Sequence, residues 1–277
     1  MQRVIDTYFG GKAASGTYQK IINHIRPHDC YIEPFLGGGT IMLTKKPAAT
    51  NIAIELDPVV YRKWQKDARH LPHIQLIHGS AFDFLEKFDY SQFERVCVYL
   101  DPPYPLSSRK DPNSRYACEL TDDEHIQLLN LIKKLPANVD VLISTYPNLM
   151  YAEALIDWHC IRFQSQTRRG KAWELLFINY LQIDDLHDTS FAGHNYRDRE
   201  RIKKKVNRWV NKYNQMDMAE RRAIFQALAQ LPENNASPED MVLQLATMAS
   251  TADDDDSAGS LAGKVSDISP RQMILFS

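Results

Sequence analysis

Val96-Cys97-Val98-Tyr99-Leu100 runs directly into Asp101-Pro102-Pro103-Tyr104. An unbroken apolar run of this length is a strand buried on both faces, and two consecutive prolines end it, because proline has no N–H to continue a ladder. The first polar group after the strand is a carboxylate. In an open parallel sheet ligands bind beyond the carboxyl ends of the strands, so Asp101 stands where a site is expected.

Working outward, other short apolar runs end at polar or glycine-rich turns: Tyr31–Pro34, Asn51–Glu55, Ile74–His78, Val139–Ser144, Trp158–Gln166 and Glu174–Gln182. Between them lie helix candidates at Thr17–Ile25 and Pro58–His70, and a third opens at Thr121, whose hydroxyl forms a capping box with Glu124. Strands alternating with helices predict an α/β domain with parallel strands and crossover helices. The last two strands, joined by the basic turn Gln166-Thr167-Arg168-Arg169-Gly170-Lys171, read as an antiparallel hairpin closing one sheet edge.

After Asp185 the strand pattern stops. Residues 197–212 carry eight basic side chains against two acidic ones, net +6, while Ile202, Val206, Trp209, Val210 and Tyr213 share one helical face. This predicts an amphipathic helix with a basic outer side. Capping chemistry at Asp217/Glu220 and at Ser237-Pro238-Glu239-Asp240 predicts two more helices, and 251–265, with Asp253–Asp256, reads as an acidic linker. The expected division is a domain over 1–185, a basic helical appendix over 186–250, and a linker with an apolar tail over 251–277.

The 277 residues are 44% hydrophobic and 25% charged, which excludes disorder throughout; 33 basic and 35 acidic side chains leave −2, so whole-chain charge announces no partner. No apolar run approaches the ~18 residues of a membrane span, and the first residues lack a signal-peptide core, so no membrane and a cytoplasmic location are expected. Cys30, Cys97, Cys118 and Cys160 form no CxxC pair and read as reduced, mostly buried thiols. Histidines such as His24, His28, His125 and His194 lack metal-ligand spacing; no metal is expected.

The composition of Asp101-Pro102-Pro103-Tyr104 fits activation of an exocyclic amine on a nucleobase. That amine is a poor nucleophile because its lone pair is delocalised into the ring. Two acceptors, the Asp101 carboxylate and the Pro102 carbonyl, would draw the nitrogen towards tetrahedral geometry, and Tyr104 would offer a face for a base pulled from its stack. The plain alternative is an ordinary strand-to-loop turn. Cys30-Tyr31-Ile32-Glu33-Pro34-Phe35-Leu36-Gly37-Gly38-Gly39 reads as a strand and a glycine turn that lets backbone approach a ligand. Neither GxGxxG nor GxxxxGK[ST] is present, which favours a nucleoside without a polyphosphate over ATP or NAD. Glu55, at a strand end, suits ribose hydroxyls, whereas Asp57 reads as a helix cap before Pro58. Ser80 and Phe82 follow the third strand and could meet a base, Phe82 equally being core. In Tyr8-Phe9-Gly10-Gly11-Lys12 two glycines and a cation suit a small carboxylate ligand, an exposed surface lysine being the alternative.

Together these segments resemble the Dam-like DNA adenine-N6 methyltransferases over about residues 1–182. The matches are Gly10-Gly11-Lys12, Pro34-Phe35-Leu36-Gly37-Gly38-Gly39, Glu55, Asp101-Pro102-Pro103-Tyr104, Val141-Leu142-Ile143-Ser144 and Glu174-Leu175-Leu176. Tyr8 stands where the family often has tryptophan, and Glu55 replaces the commoner aspartate. The resemblance implies a Rossmann-like S-adenosylmethionine-dependent methyltransferase sheet with a terminal antiparallel hairpin. It also implies Tyr8 and Lys12 around the methionine part of that cofactor, Glu55 on its ribose, and Asp101 near the reacting nitrogen.

One departure is informative. The family usually carries a sizeable target-recognition domain between the third strand and DPPY, but only residues 81–100 lie there in this chain. Without side chains to read base edges, backbone contacts remain, and these need only positive charge. The candidates are Arg109 and Lys110, Arg168, Arg169 and Lys171, and Lys203, Lys204 and Lys205. The expectation is therefore a DNA partner methylated with relaxed sequence preference, as by prophage-encoded enzymes; a solvated helix face is the bland reading of 197–212. RNA adenine, cytosine N4 and a catalytically idle DNA-binding protein stay open as alternatives. Finally, Gln272-Met273-Ile274-Leu275-Phe276 resembles the QxxLF peptides that dock into the bacterial sliding clamp; equally, it could pack on its own domain or add a strand to an edge.

Overall fold

The computed structural model describes residue 12 and residues 16–67, 71–109, 117–167, 170–181 and 185–229. Tyr8, Gly10, Gly11, Lys110, Arg168, Arg169, the Ser237 cap, the acidic linker and Gln272–Phe276 lie outside them.

Seven strands form one sheet: β1 (Cys30–Glu33), β2 (Thr50–Glu55), β3 (Ile74–His78), β4 (Val96–Leu100), β5 (Val139–Thr145), β6 (His159–Thr167) and β7 (Gly170–Ile178), in the order β3-β2-β1-β4-β5-β7-β6. The first five are parallel, and β7 runs antiparallel to both β5 and β6. This is the expected Rossmann-like sheet with a terminal antiparallel hairpin.

Helices α1 (Thr17–Ile22), α2 (Thr40–Thr44) and α3 (Pro58–Asp67) cover one face of the sheet. There Ile21, Ile22, Ile41 and Trp64 pack with Tyr31, Ala53, Cys97, Tyr99 and Leu142. Helices α4 (Ala81–Lys87), α5 (Asp122–Ile132) and α6 (Leu149–Ala154) cover the other, with Leu85, Leu128, Leu129 and Tyr151 against Ile32, Val98, Leu100 and Ile143. Every residue of β4 and β5 is buried, as two-sided coverage requires. Thr121 and Glu124 form the expected capping box, and Asp57 caps α3 by accepting from the Val59 N–H at 2.7 Å.

Among the described residues, two elements differ from the sequence reading by more than one residue at an end. The first helix ends at Ile22 rather than Ile25, because the following residues tighten into a turn three residues ahead of Pro27, with His24 N–H donating to Ile21 O. The last strand spans 170–178 rather than 174–182: most of the basic segment read as a turn is itself strand, and Gln166 pairs with Lys171. Cys30 and Cys97 are buried but Cys160 is exposed; all four thiols are free.

Beyond the sheet, α7 (Tyr196–Gln215) starts at the Asn195 cap, and none of its residues is buried. The chain divides into two units between Met216 and Asp217, so α7 belongs with the sheet. In the second unit, α8 (Met218–Ala229) opens with the expected Asp217/Glu220 box. No helix among the described residues is long and apolar enough to cross a membrane.

Candidate active site

The strand order reverses between β1 and β4, which pair directly through Cys30↔Val96 and Ile32↔Val98. The loop after β1 (34–39) and the DPPY segment after β4 are therefore neighbours at the switch point, where the diverging crossover helices leave a crevice. β2, carrying Glu55 at its end, lies on the other side of β1.

The glycine loop is fixed from three sides. Leu36 N–H donates to Ile54 O at 3.1 Å, Gly37 N–H donates to Glu55 Oε2 at 2.9 Å, and the Trp64 indole N–H donates to Gly37 O at 2.8 Å. Gly39 has φ +56°, and a Cβ there would stand 2.3 Å from the Trp64 ring, so only glycine fits. Pro34 is buried and Phe35 half-buried. The other oxygen of Glu55 accepts from Asp57 N–H at 2.8 Å. Its burial pushes the carboxyl pKa up, opposed by the N–H groups of Asp57 and Gly37. A carboxylate can accept more than one hydrogen at each oxygen, so a partly satisfied Glu55 keeps the acceptor chemistry that hydroxyl groups need.

The centre of the site is Asp101. Lys12 Nζ donates to Asp101 Oδ1 at 2.7 Å and to the Tyr104 hydroxyl at 2.7 Å, and that hydroxyl donates to Glu174 Oε2 at 3.2 Å. The ammonium is 3.6 Å from the same Glu174 oxygen. It also lies 4.9 Å from the centre of the Tyr104 ring, and Tyr146 meets that ring edge-on with centroids 4.5 Å apart. Burial raises the Asp101 pKa, and the Lys12 charge and hydrogen bond pull it back down. Pro102 is buried and Pro103 half-buried.

Lys12, expected beside a small carboxylate ligand, is thus turned onto the DPPY carboxylate. Glu174 was legible as part of a strand but not as part of the site; its signal was a lone acid at the head of the apolar run Leu175–Ile178, which alternation in an edge hairpin turns towards the sheet end. Trp64 and Tyr146 were likewise not expected in the site. Ser80 caps α4, its hydroxyl accepting from Asp83 N–H at 3.5 Å, and Phe82 packs against the core. Of the basic candidates, Arg109 is held in a two-pronged ion pair with Glu119, at 2.8 and 2.6 Å, with only 7% of its side chain exposed. A guanidinium so engaged is not presented to a phosphate. Lys171, Lys203, Lys204 and Lys205 are exposed. No group of three or more His, Cys, Asp or Glu among the described residues is placed to hold a metal ion.

Neither a protein-family model nor a curated protein matches the chain. Solved structures similar to it include a precorrin-8w decarboxylase from Methanobacterium thermoautotrophicum, 15% identical over 62% of this chain and 92% of that one, with a TM-score of 0.40. An rRNA methylase from Streptococcus thermophilus is 10% identical over 60% and 95%, with a TM-score of 0.40. The tRNA m1A22 methyltransferase of B. subtilis is 12% identical over 88% and 99%, also with a TM-score of 0.40.

Proposed function

We propose that the chain transfers a methyl group from S-adenosylmethionine to the N6 amine of adenine in DNA, with relaxed or no sequence specificity. The observation that carries this reading is the Asp101 carboxylate at the switch point, next to a fixed glycine loop and walled by Tyr104 and Tyr146.

The residues present suit the cofactor. Glu55, a carboxylate at the end of β2 beside the glycine loop, would hold the ribose hydroxyls, and the loop around Gly37 and Gly39 would admit the nucleoside close to backbone. When bound, S-adenosylmethionine supplies an electrophilic methyl on a positively charged sulfur. The protein's part is to position the amine. Accepting one hydrogen at Asp101 and one at the Pro102 carbonyl localises the nitrogen lone pair, and Asp101 is the nearest base for the proton released on methylation. A carboxylate is also the stronger of the two acceptors, being charged.

DNA and relaxed specificity rest on different parts of the chain. Between β3 and Asp101 the structure has only α4, a short 3-10 turn and β4, which leaves nothing to insert into a groove. Basic surface is supplied by Lys171 on the hairpin and by α7. The Gln272–Phe276 tail is proposed as an anchor for the sliding clamp, which a pull-down with Phe276→Ala tests.

The test is incubation with labelled S-adenosylmethionine and unmodified DNA, with RNA in parallel, followed by nucleoside analysis. The expected product is N6-methyldeoxyadenosine. Label confined to RNA or to cytosine N4 overturns the substrate, and no label on either polymer overturns the enzyme. Genome-wide mapping then addresses specificity: methylation restricted to one four- to six-base word would overturn the relaxed preference.

A further inference from the structure

The pocket holds two carboxylates where amine activation uses one. Lys12 Nζ stands on Asp101, and Glu174 Oε2 lies only 3.6 Å from the same ammonium, with the Tyr104 hydroxyl hydrogen-bonded to both the ammonium and Glu174. Side-chain exposure is 6% for Lys12, 19% for Asp101 and 7% for Glu174. The ammonium sits at the hydroxyl end of the Tyr104 ring, 4.9 Å from its centre. It therefore occupies the Asp101 oxygen that an incoming amine would use.

We infer that entry of the base passes the Lys12 ammonium from Asp101 to Glu174, making Glu174 a positioning residue that frees the amine acceptor. This inference rests on the function proposed above. A buried ammonium cannot give up its carboxylate without another anion in reach, because a stranded charge in a water-poor pocket is strongly unfavourable. Glu174 is that anion. The Tyr104 hydroxyl, already bridging the two groups, keeps a hydrogen bond to the ammonium as it moves. No covalent bond changes and no proton is transferred; the exchange relocates one charge by closing the 3.6 Å gap and opening the 2.7 Å one. Glu174 reaches the pocket because β7 turns it inward while Trp173, its exposed neighbour, stacks with Arg162 on the other side of the hairpin.

Steady-state methylation of DNA by the full chain, with calorimetric titration of S-adenosylhomocysteine as a check of the folded site, tests the exchange. Glu174→Gln keeps an oxygen for the Tyr104 hydroxyl but removes the charge. Its expected effect is a rise in KM for DNA of about tenfold or more, with S-adenosylhomocysteine affinity held within about twofold, the size of effect that losing one buried charge partner produces. A KM within about twofold of the unaltered protein, at intact S-adenosylhomocysteine affinity, overturns the inference. If Glu174→Gln loses that affinity, Lys12→Met decides: with no ammonium to displace, KM for DNA falls, and an unchanged or higher KM overturns the exchange. An unaltered protein that methylates no polynucleotide overturns the proposed function, and the exchange with it.

Discussion

In the proposed reaction Asp101 accepts the amine hydrogen most strongly as a carboxylate, yet it is held where ionisation is disfavoured. Burial raises its pKa, and Lys12 is the main opposing influence. Two outcomes follow at this scale. Asp101→Ala should lower kcat by about 10²–10³-fold, the usual effect of removing one preorganised polar group from a reacting centre, while S-adenosylhomocysteine binding survives. Retained methyl transfer would remove Asp101 from the centre of the site. The pH profile has a definite sign: a raised pKa moves the acid limb of kcat/KM above the pH expected of an ordinary aspartate, and that limb disappears in Asp101→Asn. The residue was visible in the sequence because a strand, a carboxylate and two prolines are contiguous. Glu174 was not visible as its partner, since that proximity is created by an antiparallel hairpin 70 residues from Tyr104 in the chain.

At the scale of elements, β1 and α2 are held together by Glu33. Its Oε2 accepts from the Tyr31 hydroxyl at 3.0 Å and from Met42 N–H at 3.0 Å, and the residue is buried. Burial pushes its pKa up to about 8, with the Tyr31 hydrogen bond opposing. The folded state therefore keeps a proton that the unfolded chain releases near its ordinary value of 4.5. Stability from this group is full below that value and declines as pH rises towards about 8. Glu33→Gln, which keeps the accepting oxygen, should raise Tm at pH 8 and flatten its dependence between pH 5 and about 8. A Tm that still falls over that interval as in the unaltered protein would place the titration elsewhere. Lys45, whose pKa is lowered to about 8 by burial, acts only above this window. All seven strands were visible as apolar-rich runs; β1, β4 and β5 are buried throughout, whereas β6 and β7 alternate buried and exposed positions along much of their length. The start of β7 was not, because turn-forming residues and strand residues overlap in a tight basic hairpin.

For the whole molecule, the structure sharpens what α7 can do. At 3.6 residues per turn, Arg197, Arg201, Lys204, Lys205, Arg208 and Lys212 form one exposed stripe. Lys203 falls elsewhere, beside Val206 and Val210. Replacing Arg201, Lys204 and Arg208 with alanine should therefore weaken DNA binding and reduce the slope of log affinity against log salt by about one for each phosphate no longer neutralised, whereas Lys203→Ala changes neither. Equal effects from both would reduce α7 to a solvated helix. Charge runs and helical period made the basic side legible in sequence, but not that on the opposite stripe Val206 and Trp209 stay more than half exposed. The short passage from β3 to Asp101 has a consequence of its own. On the proposed function, an enzyme acting on DNA without reading base edges would select by how cheaply a nucleotide swings free, so its marks would chart the weak points of the duplex: AT-rich, mispaired or underwound stretches first, and stiff, well-stacked ones last.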